Sequence, residues 1–380
     1  MKIAFLTPEY PHLKMKNAGG IGTSIFNLSK ALSDLGHEIN ILAYGQDKDD
    51  YFLEGNIHFF KIKNMKVKGV SLILTQKKVE RLINSLYASG KIDILEAPDW
   101  TGFTAFVNPK CPLVIRENGS DTYFCYLDDR KVKYKNKFLE KRALKKADGI
   151  ISVSAFTGNL TNELFNLNRN FTVIPNSIDA SLFQPKQSDS EKITILYFGT
   201  LIRKKGLLEL PEIFNVVHNS NKEVELILVG KDSADIKTGS SSTWQLMQPL
   251  FNKTALKKVS YLGAVDYSRI QDLIKDATVC VFPTFAEALP VSWLEAMAME
   301  KAIVASNIGW ANEMIEDGKE GFLVHPTQHK QYAECILELL DDDKKRLQFG
   351  IAAREKVKLQ FSHNLIAKRS IEFYKTLLKP

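Results

Sequence analysis

Residues 282–298 read FPTFAEALPVSWLEAMA, and this run decides the fold. An apolar stretch, Val279 to Phe282, ends where Pro283 opens a short loop that carries Glu287. A helix opening near Pro290 then carries Glu295 on its second turn. Strand, loop and helix in that order form the repeating unit of a parallel sheet. The open N–H groups at such a helix start form an anion site. One carboxylate in the loop and another up the helix can each accept hydrogen bonds from a pair of hydroxyls. A phosphate held between two sets of hydroxyls describes a nucleotide-sugar. A helical glutamate alone would be an ordinary surface residue. Here Val291, Trp293, Leu294 and Met297 make the helix apolar, and a buried carboxylate needs partners.

The same alternation runs outward in both directions. Strands are expected at Ile3–Thr7, Ile39–Tyr44, Ile57–Ile62, Ile92–Glu96, Leu113–Arg116, Gly149–Val153 and Thr172–Ile174. Beyond them, Ile193–Phe198, Val224–Val229, Val259–Leu262, Thr278–Phe282, Ala302–Ala305 and Phe322–Val324 read the same way. Helices fit Gly22–Leu35, Lys77–Ala88, Asn136–Ala147, Ser154–Phe165, Gly206–Val217, Ser268–Lys275, Val291–Met299, Gln328–Leu340, Lys344–Leu359 and Asn364–Leu378. The implied class is α/β, with doubly wound parallel sheets covered by helices on both faces. The segment Asp179 to Lys192, with Pro185 and several Ser and Asp residues, reads as a linker. It divides the chain into two similar halves, 1–180 and 190–361. Ligands of open α/β sheets bind beyond the carboxyl ends of the strands. Two such domains facing each other would place the site in a central cleft.

Bulk properties bound the function. A chain of 380 residues suggests two domains, and 44% apolar with 25% charged residues is ordinary for a globular protein. A net charge of +7 suits anionic small molecules or an anionic membrane surface, and no nucleic-acid motif accompanies it. Cys111, Cys125, Cys280 and Cys335 show no metal spacing and no C-x-x-C, so a reduced, cytoplasmic chain is expected. The first residues read as a short strand rather than a signal peptide. No apolar run reaches membrane-spanning length, so any membrane contact would be peripheral. The seven histidines are scattered, and Asp47 and Asp49 lie in a polar loop, so no metal site is expected.

Further constellations stand at expected strand ends. Asn17-Ala18-Gly19-Gly20-Ile21-Gly22 runs into a helix, and glycines there let backbone approach a phosphate or sugar. A nicotinamide fingerprint fails, because its third glycine would fall on Ile25. Gly199-Thr200-Leu201-Ile202-Arg203-Lys204-Lys205-Gly206 follows a strand, and cations there can neutralise a diphosphate leaving group. The alternative is a solvated basic turn. Glu96 and Asp99 stand at one strand end, and Arg116-Glu117-Asn118-Gly119-Ser120-Asp121 at another. Their polar groups can bind substrate hydroxyls or cap loops. Residues 130–146 hold nine Lys or Arg against one acid, Glu140, with Tyr134, Phe138, Leu139 and Leu144 interleaved. The segment fits either anionic lipid head groups or a helix with one solvated and one core face.

Taken together, these residues resemble the family 4 glycosyltransferases (GT4), retaining enzymes of the GT-B superfamily. The likeness spans nearly the whole chain. It rests on Gly19-Gly20, the run Val173-Ile174-Pro175-Asn176-Ser177-Ile178-Asp179, Lys205-Gly206, Glu287 and Glu295 at their spacing, and Gly318-Lys319-Glu320-Gly321-Phe322-Leu323-Val324. The resemblance implies two Rossmann-like domains: an N-terminal acceptor domain, onto which 362–380 cross back, and a C-terminal donor domain. It implies retaining transfer of a sugar from a nucleotide-diphosphate donor, UDP-linked, to a hydroxyl of a glycan or lipid-linked acceptor. Surface polysaccharide or glycoconjugate synthesis is the implied setting, at the inner face of the membrane, with no cofactor and no metal.

The resemblance also implies roles for single residues. Lys205 would bind the diphosphate, Glu295 the ribose hydroxyls and Glu287 the donor sugar near its C3 hydroxyl. Gly19 and Gly20 would approach the diphosphate, and backbone at Leu289, Pro290 and Val291 would line sugar and phosphate. Glu96, Asp99 and Asp121 are the acceptor-side candidates. Three positions depart from the family pattern. Thr200 stands where an arginine is usual, so Arg203 or Lys204 would supply that charge. Asn118 stands at a histidine position that commonly contacts the donor sugar. Pro290 replaces a glycine and removes one N–H donor. The departures leave open a nucleotide-sugar epimerase on the same architecture, or a degenerate binding paralogue.

Overall fold

The computed structural model describes residues 1–15, 19–185 and 192–378. Asn17 and Ala18 of the glycine run, the middle of the expected linker (186–191) and the last two residues of 362–380 lie outside the described residues. The chain divides into two units: Met1–Ser177 with the segment from Phe361 on, and Ile178–Gln360.

The first unit is built on eight strands: β1 (Lys2–Thr7), β2 (Glu38–Gln46), β3 (Asp50–Glu54), β4 (Ile57–Lys63), β5 (Ile94–Pro98), β6 (Leu113–Glu117), β7 (Gly149–Ser152) and β8 (Thr172–Val173). Their order across the sheet is β3-β4-β2-β1-β5-β6-β7-β8, and every pairing is parallel except β3 with β4. Helices α1 (Gly20–Asp34), α2 (Ser71–Ala88), α3 (Asp121–Leu127), α4 (Tyr134–Lys146) and α5 (Ala155–Phe165) connect them.

Side chains of a strand alternate between the two faces of its sheet, so two cores form. Ile3, Phe5, Ile39, Ile41, Ile94 and Ile151 belong to one, with Leu28 and Leu32 of α1. Ala4, Leu6, Leu42, Leu95, Leu113 and Ile150 belong to the other, with Val79 and Ile83 of α2. Burial on both faces is why these strands read as continuous apolar runs.

The second unit carries β9 (Thr194–Phe198), β10 (Glu225–Val229), β11 (Val259–Tyr261), β12 (Val279–Phe282), β13 (Ile303–Ala305) and β14 (Phe322–Leu323). The order is β11-β10-β9-β12-β13-β14, all parallel. It has the dinucleotide-fold pattern, in which strand order reverses beside the first strand. Its helices are α6 (Leu210–Ser220), α7 (Thr243–Met247), α8 (Lys253–Leu256), α9 (Tyr267–Asp276), α10 (Val291–Ala298), α11 (Ala311–Met314), α12 (His329–Asp341) and α13 (Asp343–Lys356). A π-helical turn, Val357–Phe361, precedes the final helix, α14 (His363–Leu377).

Helix α14 completes the first unit. Ile366, Ala367, Ile371 and Tyr374 join the core that α1 covers. A buried ion pair lies beneath it. Arg116 of β6 donates from Nε and Nη2 to the Glu96 carboxylate of β5 at 2.7 and 3.1 Å, and the Tyr374 hydroxyl donates to the same carboxylate at 2.6 Å. In the second unit Arg354 of α13 donates to the carbonyls of Ala298 and Phe183, tying the segment after Ile178 to α10.

Several expected elements differ. Gly206 does not open a helix. Its φ is +73°, a left-handed conformation, so a short 3-10 turn (Arg203–Lys205) intervenes and α6 starts at Leu210. The helix expected over Lys344–Leu359 ends at Lys356, where the π turn takes over. Strand β3 was not expected; it is a largely exposed antiparallel edge strand and lacks an apolar run.

Candidate active site

In the second unit, strand order reverses between β9 and β12, and the loops leaving their carboxyl ends carry the candidate residues. The loop after β9 turns through Arg203–Lys205 and passes Gly206 against the loop after β12. A Cβ on Gly206 would stand 1.7 Å from the Pro283 carbonyl oxygen, so only glycine fits. The Lys204 carbonyl accepts the N–H groups of Phe285 (2.9 Å) and Ala286 (3.2 Å), which straps the two loops together. The strap brings the Lys205 ammonium into contact with the Glu287 carboxylate. Both side chains are recessed, at 19% and 15% exposed. Burial, with the Lys204 charge added, pushes Lys205 down to about 7, and contact with Glu287 favours its charged form.

Helix α10 opens directly after Glu287. Pro290 is its N-cap, with no side-chain cap and no acid in the first turn. The first-turn N–H groups from Val291 onward thus carry the positive end of the helix dipole with no side-chain cap at Pro290. Leu289 is buried, and Trp293, Leu294 and Met297 anchor the helix in the core. Glu295 rides on this helix at 5% exposure. Its Oε1 accepts a 2.5 Å hydrogen bond from the Tyr267 hydroxyl of α9. Burial pushes Glu295 up to about 7, against the pull of that hydrogen bond.

Two more candidates stand at this edge. Arg203 does not present a free cation to a diphosphate. Its Nε and Nη2 donate to both oxygens of buried Asp235 at 2.8 Å, holding that carboxyl well below its usual range. Thr200 is exposed, and its carbonyl accepts from the Tyr197 hydroxyl at 3.0 Å.

In the first unit the sheet reverses between β1 and β5. Gly19 and Gly20 open α1, which follows β1. Glu9, which sequence reasoning overlooked, lies there: its Oε1 accepts the Gly22 N–H at 2.9 Å, and a Cβ on Gly19 would sit 2.6 Å from Oε2. Its one sequence signal is its place just past the carboxyl end of β1. Glu96 is corrected outright. Paired with Arg116 and Tyr374 and buried at 2% exposure, its carboxylate has no surface to offer a ligand.

Asp99, past β5, is buried. Its Oδ1 accepts the Asn118 N–H at 3.1 Å, and its Oδ2 is without a described partner. Burial and the nearby Glu140 push its carboxyl well above the usual range. The Asn118 carboxamide oxygen is likewise buried without a described partner. Asp121 starts α3 and accepts from the Asn136 amide at 2.8 Å. Glu140, read as a lone acid in a basic helix, is instead fully buried, accepts the N–H groups of Asp121 and Thr122, and is pushed up to about 7 by burial.

Away from the sheet edges, the basic segment forms α4 and its approach. Lys131, Lys133, Lys135 and Lys145 are exposed, as are Tyr126, Tyr134 (86%) and Phe138, while Leu139, Ala143 and Leu144 face the core. The helix thus has one solvated face, rich in lysine, and one core face. Among the described residues no group of His, Cys, Asp and Glu could hold a metal ion. Among them, too, no helix is long and apolar enough to cross a membrane.

Two parallel α/β units of this kind define the GT-B class, and solved structures share the fold. Sucrose-phosphate synthase from Thermosynechococcus elongatus matches with a TM-score of 0.79 at 18% identity over 99% of each chain. Anabaena HepE, solved in complex with UDP, matches with a TM-score of 0.75 at 18% identity, over 99% of this chain and 100% of that one. The family model for glycosyl transferases group 1 matches residues 179–356, and the glycosyltransferase family 4 model matches 18–182. The chain belongs to these family 4 glycosyltransferases and is a sugar-transferring enzyme. A glycosyltransferase of Methanocaldococcus jannaschii is 24% identical over 100% of this chain and 99% of its own. The Campylobacter jejuni N,N'-diacetylbacillosaminyl-diphospho-undecaprenol alpha-1,3-N-acetylgalactosaminyltransferase is 29% identical over 56% of this chain and 53% of its own.

Proposed function

We propose that the enzyme transfers a sugar, with retention of configuration, from a UDP-sugar to a hydroxyl of a glycan or lipid-linked acceptor in surface polysaccharide or glycoconjugate synthesis. One observation carries the reading: Lys205 and Glu287 meet at the mouth of α10, with Glu295 one turn further along the same helix. Donor and acceptor chemistry are supported by the solved relative that binds UDP and by the curated relative named for a diphospho-undecaprenol acceptor.

The residues divide the donor among them. Glu295 accepts the ribose hydroxyls. The first-turn N–H groups of α10 and the Lys205 ammonium meet the diphosphate, and Glu287 accepts from the sugar's C3 hydroxyl. The acceptor oxygen attacks C1 from the face the diphosphate leaves. The C1–O bond to phosphate breaks, the C1–O bond to the acceptor forms, and the acceptor proton passes to the departing phosphate oxygen. Positioning and charge neutralisation supply the acceleration. The reading assigns no cofactor and no metal to the step. Asn118 is assigned to the sugar side and Asp121 to the acceptor side. The exposed lysines and aromatics of α4 are assigned to anionic lipid head groups, placing the enzyme on the cytoplasmic face of a membrane.

The test is calorimetric titration with UDP and UDP-sugars, alongside turnover with lipid-linked acceptors. UDP binding lost or weakened at least about ten-fold in Lys205→Ala and Glu295→Ala is expected. Unchanged affinity in both variants would remove the assignment.

A further inference from the structure

Glu295 faces a conflict. Accepting two hydroxyls is work for a carboxylate anion, yet its helix is packed into the core, and burial favours the neutral acid. Something must hold the anion in place, and the sequence around Glu295 provides nothing that could.

The partner comes from 28 residues earlier in the chain. Tyr267 is the first residue of α9, half-exposed at 48%, yet its hydroxyl reaches the nearly buried Glu295 Oε1 at 2.5 Å. Its ring meets the Phe183 ring edge-on at 6.0 Å. Phe183 is itself fixed, because its carbonyl accepts from Arg354 at 2.7 Å. A ring clamped on one side and a hydroxyl spent on the carboxylate leave the phenol little freedom.

We propose that Tyr267 is a positioning residue for donor binding: its hydroxyl holds Glu295 as an oriented carboxylate and leaves the other oxygen for the ribose diol. The proposal rests on the reading above, in which Glu295 receives the ribose. A short hydrogen bond to an anion is among the stronger kinds, and it stabilises the anion over the acid. The phenol itself stays protonated, since burial and the Glu295 charge both push its ionisation up. It therefore donates at every working pH.

Among the described residues no charged side chain competes for this role. Arg354 faces α10 from α13, but it binds the Ala298 and Phe183 carbonyls and lies 3.7 Å from Glu300. Lys205, from the loop after β9, is in contact with Glu287. Among the described residues Tyr267 is the one partner whose hydrogen bond offsets the burial of Glu295.

The experiment measures UDP affinity of the full chain from about pH 6 to 9 for wild type and Tyr267→Phe, as the ratio of the two. A ratio cancels the titrations of Lys205 and of the UDP phosphate, which both proteins share. Losing one hydrogen bond to the anion raises the Glu295 midpoint by about one pH unit. The ratio should then favour wild type by about ten-fold near pH 6 and fall towards one near pH 9. In a Glu295→Gln background, which cannot ionise, the same substitution should give a ratio that does not change with pH. A flat ratio in the wild-type background, whether at one or at a constant loss, would show a merely structural tyrosine and overturn the proposal. Wild type that fails to bind UDP at any pH would sink the underlying reading instead, and the proposal with it.

Discussion

Gly206 and Pro283 touch backbone to backbone: a Cβ at position 206 would stand 1.7 Å from the Pro283 carbonyl oxygen, and Gly206 holds φ at +73°. The Lys205-Gly206 pair is therefore a single device. The glycine lets one loop nest against the other, and the nesting presents the lysine to Glu287.

Gly206→Ala should cost both stability and donor binding. A left-handed residue with a Cβ is strained by about 1–3 kcal/mol, before the clash with Pro283 is counted. Chemical denaturation should show a loss of at least that size, and UDP affinity should fall with Lys205 displaced. A variant of wild-type stability would mean the two loops can part without consequence.

Buried Glu295 predicts a pH signature in stability without ligand. Its pKa rises from 4.5 to about 7 on folding, so between those values the folded state holds more protons than the unfolded. Its contribution therefore falls as pH climbs through that window and stays low above it. Glu295→Gln should be more stable than wild type above pH 7, by up to about 3 kcal/mol, with the difference fading below pH 4.5. Urea melts at about five pH values would check this, and a difference independent of pH would refute it.

The Arg116–Glu96 pair predicts asymmetric mutational costs. Arg116→Met alone strands a buried carboxylate and should destabilise the first unit by about 3–5 kcal/mol. Replacing both partners with apolar residues of similar volume should recover most of that loss. Equal destabilisation by the single and double variants would show that the pair contributes through something other than its charges.

The α4 face predicts binding to charged vesicles. Lysines near an anionic surface contribute about 1 kcal/mol each, and Tyr134 and Phe138 add interfacial anchors. Sedimentation with anionic, but not zwitterionic, vesicles is expected, and it should weaken with salt. Lys133→Glu with Lys137→Glu should abolish it while leaving the circular dichroism spectrum unchanged. Indifference to lipid charge would remove α4 from the membrane.

The strands were legible because parallel strands are buried on both faces: Ile3–Leu6 of β1, Ile195–Phe198 of β9 and Val279–Phe282 of β12 are apolar without interruption. Strand β3 was not, because an exposed edge strand carries no such pattern. At the site, Lys205, Glu287 and Glu295 were visible through their spacing and their place at strand ends. The partners were not. Asp235 for Arg203, Tyr267 for Glu295 and Arg116 for Glu96 lie 20 to 32 residues away, beyond the reach of local periodicity. That is why Glu96 reads as an acceptor group although Arg116 and Tyr374 hold it in the core.

The first unit draws part of its core from residues 363–377, although its strands are complete by Val173. During translation the early sheet must wait, with Leu28 and Leu32 of α1 lacking their cover, while the whole second unit is made and able to fold. The half of the enzyme that is synthesised first is thus the half that matures last, and its unfinished face is where a chaperone would find the nascent chain.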